Sequence, residues 1–321
     1  MILRRGAAAI AATLATFTSA WAQIAVTPAG PAADPDAVLV EELVVTARLP
    51  GPAWWRVSNG TSTVYVLGAP SLAPKHMDWD RSVFDRRLAG ASRVILPFQN
   101  VRVTLPGVLG AASAYLRLRS STPFEETLDG PDRARFEAAR TRAGQPASRY
   151  KTKNPLAASL LLATDYREKF GLTVSDPTKL IKLLAQRAKV PITQRSYDLV
   201  PLMGAMLKTE PQAGRACLEE MVAQVIAGPG ATLQAAKAWA DGDVRGALAN
   251  ERTYERCFAL VPGAQAFDTR VKADMAADIE KALKVPGHAL AVEPLRPLLA
   301  QGGVLDQLRA KGYEVKTPGE E

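Results

Sequence analysis

The chain has 321 residues, 47% of them apolar, and its 40 Lys and Arg against 32 Asp and Glu give a formal charge of +8. That apolar fraction excludes a disordered polyelectrolyte and is ample for one large core. The positive charge forms no basic stripe. Many cations sit beside acids, as in Asp80-Arg81 and Asp132-Arg133, and aromatic residues make up only 6%, which argues against a nucleic-acid surface.

Residues 1–22 read as a secretory signal, with Arg4 and Arg5 as the basic region, Ala7–Phe17 as the apolar region, and Ala20-Trp21-Ala22 as a small-x-small cleavage site. Cleavage removes two arginines and no acids, so the charge falls from +8 to +6. No later stretch approaches the ~20 apolar residues that a spanning helix needs. The expectation is an exported mature chain of bacterial type, periplasmic or secreted, with no transmembrane segment. Residues 23–51 are rich in Ala, Pro and Val and are expected to form a disordered linker. Within them Glu41–Arg48, EELVVTAR, resembles the segment that follows the signal peptide in TonB-dependent outer-membrane receptors. As a short extended peptide on a tether it would suit strand addition to a partner's sheet.

The domain itself opens at Pro52. Two runs rich in aromatic and β-branched residues flank Asn59-Gly60, a dipeptide that signals a type I′ hairpin with both central residues at φ > 0. The second run, Thr63–Leu67, ends in Gly68-Ala69-Pro70-Ser71, the kind of strand end where α/β proteins place their sites. Asp78 or Asp80 is placed to cap a helix over Arg81–Ala89, and Arg93–Phe98 reads as a buried strand cut short by Pro97. Val101–Leu105 reads as a further extended piece. Helical periodicity then dominates. The spacing predicts helices over Val108–Arg119, Pro131–Ala143 (opened by Asp129), Pro155–Phe170 (after Asn154), Pro177–Ala188 (capped by Ser175 or Asp176), Leu199–Leu207, Ala213–Ala227, Thr232–Ala240, Val244–Asn250, Thr253–Leu260 and Gln265–Leu283. Strands are expected at Val190–Thr193, His288–Val292 and Gly312–Lys316, with a helix at Gly303–Ala310. Strands at both chain ends with helices between them imply an α/β (α+β) fold. It is a mixed sheet built from both ends with a helical insertion over about 107–285.

Cysteine occurs twice, at Cys217 and Cys257, and an even count in an exported chain favours a disulfide across the helical hairpin between them. Other reactive constellations are sparse. His76 lies near Asp78 and Asp80 in a loop without a second histidine at helical spacing, and His288 opens a strand after Pro286-Gly287. No Gly-x-Ser-x-Gly is present, and Gly228-Pro229-Gly230 lacks the Lys-Ser/Thr of a phosphate loop.

The order of these pieces resembles the TraB/GumN family, which includes the Tiki proteases. The resemblance runs through Pro52-Ala53-Trp54-Trp55-Arg56-Val57, Val64–Gly68, Asp78-Trp79, Asp176-Pro177, Ala238-Trp239-Ala240-Asp241-Gly242-Asp243, Gly303-Val304-Leu305 and Leu308–Tyr313. It implies one TraB/Tiki-like domain over 52–316. It also implies a metal-dependent peptidase whose ligands stand in two Gly-x-x-His motifs and at a strand-end glutamate. Here the first motif is Gly68-Ala69-Pro70-Ser71, the glutamate position falls at Pro97, and the second motif is Glu293-Pro294-Leu295-Arg296. The Leu-Glu-Thr after the middle strand becomes Arg195-Ser196-Tyr197. An arginine at a ligand position repels a cation. The reading is therefore a pseudoenzyme with no catalytic metal or other cofactor, which keeps the fold to bind an envelope protein or a small ligand. Two alternatives carry chemistry: a hydrolase rebuilt from Ser71, Arg296 and Glu293, or a metal site at His76, Asp78 and Asp80.

Overall fold

The computed structural model describes residues 34–101, 112, 113, 116, 122–206, 209 and 211–320. The expected signal segment over 1–22, residues 23–33, most of the Val101–Leu105 segment and all but three positions of the expected Val108–Arg119 helix lie outside the described residues.

The centre is a six-stranded sheet. Its strands are β1 (Trp54–Ser58), β2 (Ser62–Ala69), β4 (Val94–Val101), β6 (Ile192–Tyr197), β7 (Gly287–Pro294) and β8 (Glu314–Lys316), in the order β6-β4-β7-β2-β1-β8. A two-stranded ribbon joins β3 (Ala73–Pro74) to β5 (Leu172–Thr173). Within the main sheet β6, β4, β7 and β2 run parallel, and only β1 opposes its neighbours β2 and β8. The expected mixed sheet from both chain ends is what the chain forms. The centre of β7, Ala289–Val292, is apolar and buried throughout, as a strand covered on both faces requires.

Alternation along β1 shows how the faces are covered. Trp54 stacks on Phe84 of the Ser82–Leu88 helix, while Trp55, on the other face, meets the Leu295–Leu299 helix beside Gly68. The Ala264–Leu283 helix packs on the sheet with Met275, Ala276, Ile279, Ala282 and Leu283. Its end is tied to the hairpin by Asn59 Nδ2 on the Leu283 carbonyl and Ser62 Oγ on the Val285 carbonyl, both 2.9 Å.

The hairpin departs from type I′. Of its two turn residues only Gly60 takes positive φ, at +89°, while the Asn59 side chain accepts from the backbone N–H of Thr61 and Ser62. Glycine at the first central position and an Asx bond replace the paired left-handed residues. Strand β4 also runs further than a proline-terminated strand should. Its ladder with β6 shifts between Leu96 and Asn100, and this irregularity accommodates the missing N–H of Pro97. Strand β6 starts two residues later than expected and extends to Tyr197, because Arg195 and Tyr197 both find acids on the Ala264–Leu283 helix, Asp278 and Asp274.

The helical insertion builds a cluster of its own from Phe124, Phe136, Tyr150, Leu162, Tyr166, Met221 and Val225. Asp129 caps the Gly130–Arg142 helix by accepting from Asp132 N at 3.0 Å, and Asn154 caps Pro155–Lys169 through Ala157 N at 2.8 Å. Ser175 and Asp176 do not cap the Thr178–Arg187 helix with their side chains; Asp176 accepts the backbone N–H of His76 instead. Asp129→Ala is expected to cost about 1 kcal/mol in urea unfolding, and an unchanged midpoint would show that the cap is idle. Cys217 and Cys257 stand at disulfide distance, with Cα atoms 5.4 Å apart, and both are buried against Leu156.

The expected linker fails as such over residues 34–51. Glu41–Leu43 is a 3₁₀ turn, Leu43 and Val44 are buried in the main core, and Trp55 Nε1 donates to the Leu43 carbonyl. Val40 N donates to Leu299 O and Ala47 N to Gly242 O, both at 2.9 Å. Composition alone misleads here, because two well-placed apolar side chains suffice to anchor the segment. Glu41–Arg48 is accordingly not a free extended strand; pairing with a partner's sheet would pull Leu43 and Val44 out of the core.

Candidate functional site

The parallel strands β2, β7, β4 and β6 end at one edge of the sheet, and the candidate positions converge there. Gly68 and Ala69 of β2 pair in register with Glu293 and Pro294 of β7, so the loop carrying Ser71 and the Leu295–Leu299 helix carrying Arg296 start side by side. A Cβ at Gly68 would overlap the end of the Leu295 side chain and crowd Trp55, so a larger residue there has to displace Leu295. Its carbonyl accepts from the buried Trp239 indole N–H, and Trp79 meets Trp239 edge to face with centroids 5.5 Å apart. The Ala238–Asp243 segment thus has a structural role: it fixes the end of β2. Asp243 in turn caps the next helix through Gly246 N.

Each candidate residue is engaged in its own way. Pro97 presents only its carbonyl, which accepts from Gln194 Nε2 at 3.0 Å, and Gln194 accepts from Lys182 Nζ. Arg296 donates from Nη1 to the Asp36 carbonyl at 3.2 Å and from Nη2 to the Leu248 carbonyl at 2.7 Å; Ser71 is not among its partners. Ser71 instead lines a shallow cleft against the insertion, with Tyr166, Met221, Gln224, Tyr254 and Glu255. Glu293 is 2% exposed, and its Oε2 has no hydrogen-bond partner among the described residues. Burial first, and then the charges of Asp268 and Asp36, push its carboxyl up to about 8, against the pull of Lys272.

Next to Glu293 lies a set of charged groups. Asp36 Oδ2 accepts from Arg252 Nη2 at 3.0 Å and Oδ1 from Lys272 Nζ at 2.5 Å; Asp34 takes Arg252 bidentately at 2.9 and 2.8 Å. Lys272 also reaches Asp268, and Arg252 lies 3.6 Å from Glu255. The Asp34 carboxyl is held below the usual range by its bonds to Arg252 and the Asp36 N–H, which outweigh burial. The Arg296 guanidinium is pushed down by burial and by Arg252. Nothing in the sequence marks Asp34 and Asp36, which sit in an Ala/Pro stretch. Lys272 gives one signal, its Asp268 partner four residues back within a helix of apolar pattern.

The remaining candidates lie elsewhere. His76, Asp78 and Asp80 are exposed; the first is at φ +59° in a turn and the last accepts from Ser82 N at the start of a helix. His288 sits at the opposite end of β7 from Glu293, its Nε2 2.8 Å from the Arg87 carbonyl. Among the described residues no group of three or more His, Cys, Asp or Glu side chains is placed to hold a metal ion. At the positions where the resemblance implies ligands stand a hydroxyl, a proline and a guanidinium, beside one buried carboxyl pushed up to about 8, and the neighbouring Asp36 and Asp268 carboxylates are taken by Arg252 and Lys272. That set does not fit a divalent cation.

A sequence model of the TraB/PrgY/gumN family matches residues 53–317. Comparison with curated proteins and with solved structures gives no match.

Proposed function

The chain belongs to the TraB/PrgY/gumN family, and from that premise we propose that it is an exported, non-catalytic member, which uses the sheet edge for binding in the cell envelope rather than for peptide hydrolysis. The observation that carries this reading is Arg296. At a position where the family resemblance implies a ligand stands a fixed cation, and its guanidinium is bound to two main-chain carbonyls, those of Asp36 and Leu248. Export is supported by the N-terminal signal pattern and by a buried cysteine pair at disulfide distance. Among the described residues no helix is long and apolar enough to cross a membrane.

The test is elemental analysis of the mature protein purified without chelators, together with a peptide-cleavage assay with added zinc or manganese. The expected result is substoichiometric metal and no cleavage. Stoichiometric metal with cleavage that disappears in Glu293→Ala would overturn the reading, and metal-independent cleavage lost in Ser71→Ala would favour a rebuilt hydrolase. N-terminal sequencing of the exported chain should begin at Gln23; an intact Met1 would remove the export step.

A further inference from the structure

Three cations, Arg252, Lys272 and Arg296, converge where the parallel strands end, and one aspartate answers all of them. Asp36 gives one carboxylate oxygen to Lys272, the other to Arg252, and its main-chain carbonyl to Arg296. We propose that these three residues form a carboxylate-binding cradle, and that Asp36 fills it as a tethered stand-in for a carboxylate-bearing ligand. This deepens the reading of the sheet edge as a binding site and rests on it.

The cradle and its plug lie in different parts of the chain. Arg252, Lys272 and Arg296 lie inside the family-matched span 53–317, whereas Asp34 and Asp36 precede it. The plug is a compact turn, Asp34-Pro35-Asp36-Ala37, closed by Asp36 N on Asp34 Oδ1 at 2.9 Å and Ala37 N on Asp34 O at 3.1 Å. Beyond it the Val38 side chain is 58% exposed, and the main chain is anchored from that residue on, by Gln301 N on the Val38 carbonyl at 2.9 Å, the Leu39–Ala300 bridge and Val40 N on the Leu299 carbonyl. The turn can therefore leave while the anchor stays.

Charge explains why the cradle needs an anion. The facing groups are Asp34 and Asp36 from the turn, Asp268 and Lys272 from the Ala264–Leu283 helix, Arg252 and Glu255 from the segment before it, and Glu293 and Arg296 from the end of β7. With Glu293 holding its proton, removal of the turn leaves three cations against Asp268 and Glu255. The Arg252 and Lys272 side chains are 7% and 8% exposed, so a net positive charge there is poorly solvated and draws in a carboxylate. Packing alone does not call for such groups, since buried ion pairs are on average no better for stability than apolar side chains of the same size.

The experiment is chemical rescue in the full mature chain. Asp36→Ala opens the carboxylate position shared by Lys272 and Arg252, with Asp34 still on Arg252, and lowers the Tm. Sodium acetate is expected to restore the Tm saturably, by roughly 2–4 °C when acetate reaches about ten times its Kd, while sodium chloride at equal ionic strength does not. Asp36→Asn keeps the cradle filled and should not respond to acetate, and Asp36→Ala with Lys272→Met should lose the rescue. If Asp36→Ala does not fold unaided, the refolding yield with acetate against chloride replaces the Tm. Equal effects of acetate and chloride on Asp36→Ala, no effect of either, or acetate rescue of Asp36→Asn would overturn the cradle. Metal uptake would instead overturn the non-catalytic reading and leave the rescue result standing on its own.

Discussion

Cys257→Ser is expected to lower stability by about 4 kcal/mol and the Tm by roughly 10 °C. The cysteines are separated by 40 positions, and a cross-link of that span removes conformational freedom mainly from the unfolded chain. Both side chains are buried with Leu156 between the Pro211–Ala227 and Thr253–Ala259 helices, so serine there also leaves a hydroxyl in an apolar setting. Dithiothreitol should impose a similar loss on the parent protein and leave the variant unmoved. Equal melting of parent and variant, each with and without reductant, would show that the pair carries no stabilising bond.

The cysteine pairing was legible because count and helical spacing act together. Strands such as Val64–Leu67 and Ala289–Val292 were legible as dense apolar runs bounded by glycine or proline, whereas β6, ITQRSY, is largely polar and starts two residues later than expected. The hairpin was legible in place but not in type, since the sequence Asn-Gly does not reveal that the asparagine side chain will turn back onto Thr61 and Ser62. Less legible was anything that depends on long-range meeting. Residues 34–51 carry a linker's composition, and only the tertiary fold supplies the Leu299, Trp55 and Gly242 partners that hold them. The candidate site shows the same division. Gly68, Ser71, Glu293 and Arg296 share one edge, as the register of β2 with β7 dictates. Ser71 nevertheless faces the insertion while Arg296 faces the N-terminal turn, because β2 continues into a loop and β7 directly into the Leu295–Leu299 helix once the ladder ends. The main-chain carbonyls that Arg296 binds, those of Leu248 and Asp36, lie 48 and 260 positions away, distances at which no local pattern survives.

Glu293 gives the second large effect, and its sign follows from the proton. In the unfolded chain its carboxyl titrates near 4.5, and in the folded protein burial holds the proton on to about 8. Below pH 4.5 both states are protonated and the group costs nothing extra. Between 4.5 and 8 the unfolded chain releases the proton while the folded one keeps it, so stability falls as pH rises. Above 8 both states are ionised and the loss is complete, about 5 kcal/mol for a shift of this size. Glu293→Gln replaces the carboxyl with a neutral side chain of nearly the same shape. The variant should match the parent within about 1 kcal/mol at pH 4.5 and exceed it by several kcal/mol at pH 8, most of the gain appearing before neutrality. Asp268, Asp36 and Lys272 remain in place in both proteins, so the difference between the two curves isolates residue 293. Urea unfolding at pH 4.5, 6, 7 and 8 measures it. Parallel curves would mean that Glu293 titrates alike in the folded and unfolded chains, which would add a third carboxylate to Asp36 and Asp268 at neutral pH and count against the protonated carboxyl on which the non-catalytic reading draws.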